Sequence, residues 1–168
     1  MDTIETILTR RSIRRYRPDP IPDEQLKIIL EAGRQAPSAA NRQPWHIVVV
    51  GDAETKRRLA EACNGQMWMA DAAYILVACG LPQVSGKWYP VDVAIAMENI
   101  VLAAKALGYG TCWIGAFSQE EVRRACQIPE EATVVVCAPL GVPDSNPPAR
   151  ARKEWGQVYS RDVYGQAL

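Results

Sequence analysis

With 168 residues, 48% hydrophobic and 23% charged, the chain has the length and composition of one globular domain spanning 1–168 that buries its own core. Its 19 basic and 19 acidic residues cancel, yet five of the basic ones crowd between Arg10 and Arg17, leaving 14 against 19 acidic elsewhere. That uneven balance argues against broad nucleic-acid binding, which needs many distributed phosphate contacts, and no apolar run approaches the ~20 residues of a membrane span.

Asp2 or Thr3 caps a first helix with Ile4, Ile7 and Leu8 on one face, fading near Arg11-Ser12. Pro18-Asp-Pro-Ile-Pro22 reads as an extended connector. Asp23 opens a second helix, with Leu26, Ile29 and Leu30 inward and Gly33 near its end. After a loop of small and turn-forming residues, Ile47–Val50 reads as a buried strand stopped by Gly51-Asp52. A helix from Glu54 to about Cys63 and a buried strand over Tyr74–Cys79 follow, then a short loop from Leu81 to Tyr89.

The stretch from Val91 to Leu107 is apolar nearly all round, interrupted only by Asp92, Glu98, Asn99 and Lys105. A helix on a small domain buries one stripe, and the remainder would face water at ~25 cal/mol per Å². A second copy of the chain is the simplest cover, so the pattern predicts an obligate homodimer with this helix central. Gly108–Thr111 ends the helix, and Cys112–Gly115 reads as a short strand. Ser118 with Glu121 forms a capping box for a helix through Cys126, and Thr133–Ala138 is a further strand. After Gly141–Asp144 comes a Pro-rich tail with Arg150, Arg152 and Lys153, whose Trp155, Val158, Tyr159 and Tyr164 need something to pack on.

Two features point to chemistry. Arg10, Arg11, Ser12 and Arg14 offer forked guanidinium donors and a hydroxyl at a helix end, suited to a phosphate monoester, and Arg150 with Arg152 form a second cluster near the other terminus. Arg15, Arg17 and Lys153 read equally well as solvated charge. The loop Ala36-Pro-Ser-Ala-Ala-Asn-Arg-Gln-Pro-Trp45 has a pinned backbone, few bulky groups, and amides able to read the edge of a heterocycle. No set suggests nucleophilic catalysis. The single histidine, His46, lacks a partner motif and reads as structural, and five scattered cysteines without a CxxC pair read as core residues. A metal site is not expected. No GxGxxG follows a strand, which disfavours a Rossmann domain. The N-terminus lacks a basic segment followed by an apolar core, so a cytosolic location is expected. An enzyme built this way takes its chemistry from a cofactor.

RRSIRRY at Arg10–Tyr16, PSAANRQPW at Pro37–Trp45, the Ala-rich helix ending at Gly108, GTCWIGAF at Gly110–Phe117, and GVP followed by RARKEW at Arg150–Trp155 occur in order along nearly the whole chain. Together they resemble the nitroreductase family of FMN enzymes. The resemblance implies an α+β fold, a central mainly antiparallel sheet wrapped by helices, and an intertwined homodimer with two interfacial FMN sites. It further implies that Arg10, Arg11 and Ser12 hold the phosphate together with Arg150 and Arg152 of the tail, and that Arg14 reaches the ribityl chain and pyrimidine edge. Pro37, Ser38 and Ala39 match a segment supplied by the other subunit. Asn41 and Gln66 match amides near the ring or ribityl groups, Gln66 subject to a shift of alignment. Gly115 and Ala116 match backbone donors facing flavin N5 and O4.

The activity implied is that of an NAD(P)H oxidoreductase, with ping-pong hydride transfer from NADH or NADPH through flavin N5 to a nitroaromatic, quinone or similar acceptor. No protein side chain need act as acid. Other readings are an FMN sensor or store without turnover, and specialised flavin chemistry such as dehalogenation or flavin fragmentation. The short Leu81–Tyr89 link, where larger relatives carry helical insertions, implies an open pocket, with packing the preferred reading for Trp68, Trp88 and Tyr89.

Overall fold

The computed structural model describes residues 2–168. Five α-helices and five strands follow one another as α1 (Thr3–Thr9), β1 (Tyr16–Arg17), α2 (Asp23–Arg34), β2 (Trp45–Val50), α3 (Ala53–Ala62), β3 (Tyr74–Gly80), α4 (Tyr89–Ala106), β4 (Gly110–Thr111), α5 (Gln119–Cys126) and β5 (Thr133–Pro143). The sheet order is β1-β5-β3-β2, with β4 also on β5, and every strand pairing is antiparallel. This is the expected α+β architecture.

Alternation along the central strand explains the layering. Ile75, Val77 and Cys79 of β3 point to one side, where they meet Leu59 and Ala62 of α3, Met69, and Val122 of α5. Leu76 and Ala78 point to the other, against Ile29 of α2 and Val93, Met97 and Ile100 of α4. Because both faces are covered, β3 reads as a continuous apolar run from Ile75, every residue buried through Gly80. Helices α2 and α4 approach closely at Gly33, where an added Cβ would lie 2.6 Å from Ile100 Cδ1.

Several local expectations are corrected. The short strand predicted at Cys112–Gly115 lies earlier, at Gly110–Thr111, and only Ile114 continues the pairing as a lone bridge to Cys137. Packing decides this: Ile13 sits so close to Gly110 that a Cβ there would be 2.5 Å from Ile13 Cγ1, and Ile13 N–H donates to Thr111 O. The last strand runs on to Pro143 rather than stopping at Ala138, since its distal half pairs with β4 and with the unforeseen β1. Helix α4 starts at Tyr89, with Pro90 in its first turn, two residues before the expected start. In the proposed capping box, Ser118 Oγ does accept from Glu121 N–H at 3.3 Å, with no return bond from the Glu121 side chain among the described residues.

The apolar face of α1 is on the outside. Ile4, Ile7 and Leu8 are 65%, 49% and 69% exposed, and Thr6 is the buried residue of that helix. Helix α4 buries Val93, Ala96, Met97, Ile100, Val101 and Ala104, while Val91 is exposed and Ile95 and Leu102 are only half-buried. The tail from 147 onward makes only local hydrogen bonds among the described residues, and Trp155, Val158, Tyr159, Val163 and Tyr164 all face solvent. No helix is long and apolar enough to cross a membrane among the described residues.

Candidate functional site

Arginines from the two ends of the chain line one cleft of about 610 Å³. It is lined by Ile7, Leu8, Arg10, Arg11, Ser12 and Arg14 from the N-terminal segment, by Pro147–Ala149, Arg150 and Arg152 from the tail, and by Glu98 of α4. The N-terminal segment is placed by the end of α1 and by the sheet. Arg10 C-caps α1 through its N–H to Thr6 O at 3.0 Å. Ser12 bridges to Thr111 and the flanking Ile13 is buried, while Arg10, Arg11 and Ser12 stay half-buried and Arg14 is exposed.

The arginines divide into two sets. Arg15 pairs with Asp144 at 3.2 Å and Arg17 with Asp19 at 2.8 Å, both at the surface. Arg10, Arg11, Arg14, Arg150 and Arg152 have no ion-pair partner among the described residues. Arg11 is partly engaged, since its Nη1 donates to the carbonyls of Leu8 at 3.0 Å and Arg10 at 2.8 Å. Glu98, the one carboxylate of the cleft, accepts from the Trp113 indole N–H at 3.2 Å. Burial pushes the Cys112 thiol up, opposed by the nearby Arg14, a hydrogen bond with Ser12, and Arg10. Burial likewise pushes the Tyr16 phenol up, and its hydroxyl donates to Ile13 O at 2.8 Å.

The remaining predicted residues lie outside this cleft within one chain. Pro37 and Asn41 are exposed, Ser38 and Ala39 half-buried, and Ala39–Asn41 form a single 3-10 turn. That loop is strained: Ala40, Asn41 and Gln43 take φ of 51°, 54° and 51°. It closes through Gln43 N–H to Ser38 Oγ at 2.9 Å, Asn41 N–H to Ser38 O at 2.9 Å, and Ala39 N–H to Asp92 Oδ1 at 3.0 Å. Gln66 Nε2 donates to Cys63 O at 3.0 Å. Gly115 and Ala116 are exposed, and their N–H groups find no acceptor among the described residues.

Sequence reasoning missed Glu98 and Asp92, although both stood out as interruptions of the apolar run in α4. Three of the four interruptions make a specific tie: Asp92 to Ala39 N–H, Glu98 to Trp113, and Asn99 Nδ2 to Ala32 O at 3.2 Å. A slightly larger cleft of about 660 Å³ lies elsewhere, lined by Tyr16, Lys56, Asp71 and Tyr74 among others. Its Asp19 and Asp71 offset Lys56, whose Nζ donates to Ala72 O at 2.6 Å, so it lacks the concentrated positive charge of the arginine cleft.

The donor set of the arginine cleft fits a nucleotide phosphate: several guanidinium groups without carboxylate partners, and a serine hydroxyl. The exposed N–H pair at Gly115-Ala116 fits acceptors on a planar ring, since a Cβ built at Gly115 meets nothing within 4 Å.

The family model described as "Nitroreductase family" matches residues 7–83 and 69–142. An Archaeoglobus fulgidus relative, named provisionally as an NADH dehydrogenase/NAD(P)H nitroreductase, is 39% identical over 149 residues, covering 84% of this chain and 86% of its own. The NADPH-flavin oxidoreductase of Vibrio harveyi is 35% identical over 167 residues, covering 90% of this chain and 70% of its own. The solved structure of an NADPH:FMN oxidoreductase from Vibrio harveyi complexed with NAD+ superposes with a TM-score of 0.89 at 34% identity, covering 99% of this chain and 79% of that one. On sequence and fold together, the chain belongs to the nitroreductase family.

Proposed function

We propose that this protein is an FMN-dependent NAD(P)H oxidoreductase that reduces an electron-poor acceptor, a nitroaromatic, a quinone or a similar compound. The observation that carries the reading is the convergence of Arg10, Arg14, Arg150 and Arg152, from opposite ends of the chain, on one cleft with the Ser12 hydroxyl. The flavin and NAD(P)H named for the Vibrio harveyi relatives support it.

In this reading Arg10, Ser12, Arg150 and Arg152 bind the FMN phosphate, and Arg11 adds whichever N–H donors its own backbone bonds leave free. Arg14 would hold the pyrimidine edge, where its positive charge would stabilise negative charge on the ring. The unpartnered N–H groups of Gly115 and Ala116 orient the ring edge. When bound, FMN would supply the hydride-exchange chemistry between NADH or NADPH and the acceptor. Protons come from solvent.

The site is completed by a second copy. The Pro37–Asn41 loop lies outside the arginine cleft of its own chain, as it should if it serves the partner's cleft. The uncovered side chains of α1, α4 and the tail supply apolar surface for such a homodimer.

Anaerobic titration of the purified protein tests the reading. A yellow dimer bleached by NADH or NADPH and recoloured by a nitroaromatic or quinone supports it. A colourless protein that cannot be reconstituted with FMN overturns it, as does a yellow protein inert to both nucleotides, which would be a flavin store or sensor.

A further inference from the structure

Asp92 is a carboxylate in the first turn of a mostly apolar helix, 2% exposed, and that carboxylate makes one hydrogen bond. Its Oδ1 accepts the Ala39 N–H at 3.0 Å, across 53 residues of sequence. Its Oδ2 is buried without a donor among the described residues. Burying a carboxylate that keeps only one hydrogen bond costs stability, which directs attention to what that bond holds. The location at the N-terminal end of α4 offsets part of the penalty, because the helix dipole favours negative charge there.

What the bond fixes is the loop with the least stable backbone in the site. Three non-glycine residues between Ala40 and Gln43 occupy the left-handed region, a conformation that relaxes unless its surroundings enforce it. Other restraints come from within the loop, through Ser38, Asn41 and Gln43. The loop is anchored at its two ends, by Ala36 N–H to Gly33 O at 3.1 Å and by Leu81 N–H to Pro44 O at 2.9 Å. Between those ends Asp92 ties it to the body of the protein, and further along α4 Asn99 Nδ2 holds Ala32 O near the end of α2.

We infer that Asp92 is a positioning residue for flavin binding: its carboxylate clamps the Ala39 amide and so presets the Pro37–Asn41 loop in the shape the cofactor requires. The inference rests on the FMN reading above. It predicts a preorganisation effect, in which losing the clamp makes binding order the loop at the expense of affinity.

The test uses the full-length protein with two substitutions, Asp92→Ala and Asp92→Asn, and two readouts. In apo protein, hydrogen–deuterium exchange follows the Ala39–Gln43 amides, with tryptic cleavage after Arg42 as a second probe. FMN affinity is measured separately by flavin fluorescence. Asp92→Ala is expected to speed exchange and cleavage in the loop while the amides of β3 and β5 stay protected, and to weaken FMN about tenfold, the scale of one charge-assisted bond. Asp92→Asn keeps an acceptor for the Ala39 N–H and is expected to recover most of both.

Unchanged loop exchange in Asp92→Ala overturns the clamp, and altered exchange with unchanged FMN affinity overturns the link to the cofactor. An Asn variant as impaired as the Ala variant overturns it too, including where the Ala variant does not fold. A wild-type chain that takes up no FMN would instead defeat the FMN reading, leaving the exchange data to judge the clamp alone.

Discussion

The middle of the chain and its two ends treat apolar side chains in opposite ways. Between Ile13 and Pro143, strands β3 and β5 are sandwiched between helical layers, and Leu76, Val77, Met97 and Leu140 have no measurable exposure. At the ends, Ile4, Ile7 and Leu8 on one side and Trp155, Tyr159 and Tyr164 on the other stand in water. The same ends carry the arginines of the cleft, none of which has an ion-pair partner among the described residues. The contrast teaches that the body packs as a scaffold on its own, whereas the terminal segments that line the arginine cleft leave their apolar side chains uncovered, which on the proposed reading a second copy would cover.

The sharpest way to probe the body is Leu76→Ala. It removes a fully buried side chain between β3 and the α2–α4 layer and should cost about 4 kcal/mol by urea unfolding. Leu8→Ala, at an exposed end, should leave the urea midpoint of dilute protein nearly unchanged while weakening dimerisation, seen by analytical ultracentrifugation as a monomer–dimer transition moved to higher protein concentration. If Leu8→Ala destabilised dilute protein as much as Leu76→Ala, the distinction between body and ends would fail.

Removing the tail should separate folding from binding. A chain truncated after Asp144 keeps all ten helices and strands and should retain its far-ultraviolet circular dichroism. Without Arg150 and Arg152 its FMN affinity should fall by roughly a hundredfold, equivalent to about 3 kcal/mol for two charge-assisted contacts. Undiminished binding would place the phosphate elsewhere.

Among the N-terminal arginines, Arg14→Ala should weaken FMN about tenfold, whereas Arg17→Ala, which breaks only the surface pair with Asp19, should change it less than about twofold. Flavin fluorescence titration of the two variants side by side decides this. Equal effects would mean that the ion pairing in the free chain does not sort the arginines by role.

A smaller effect is expected at a cap within the body. Asp52 accepts from Thr55 N–H at 2.8 Å and from the Thr55 hydroxyl at 2.7 Å at the start of α3, so Asp52→Ala should cost about 1 kcal/mol by urea unfolding without affecting FMN. The buried thiols give a check that needs no mutation. Burial pushes the Cys79 thiol up to about 11, so at pH 8 it stays protonated and should react with Ellman's reagent only after unfolding, when all five cysteines of the chain become titratable.

Much of the body was legible because one-dimensional patterns state it directly. The short unbroken apolar run at Tyr74–Cys79 reads as a strand covered on both faces, and the 3.6-residue spacing of Leu26, Ile29 and Leu30 defines the inner face of α2. Residue chemistry likewise singled out two basic clusters and an amide-rich loop. The short strands β1 and β4 were not legible, because two residues carry no periodicity. Their places are set by partners far away in sequence, Pro143 and Val142 for one, Gly141 and Leu140 for the other.

By itself, then, the sequence determined what is local: helix periodicity, turn residues, the charge density of Arg10–Arg17, and an α4 too apolar for a single stripe. Tertiary structure alone decided which distant groups meet. It brought Arg150 and Arg152 into one cleft with Arg10 and Arg14, paired Arg15 with Asp144 instead, and set Asp92 against the Ala39 amide. The physical reason is that a guanidinium or a buried carboxylate is defined by its partner, and a partner more than 50 residues away is fixed by the whole packed sheet rather than by any neighbouring residue.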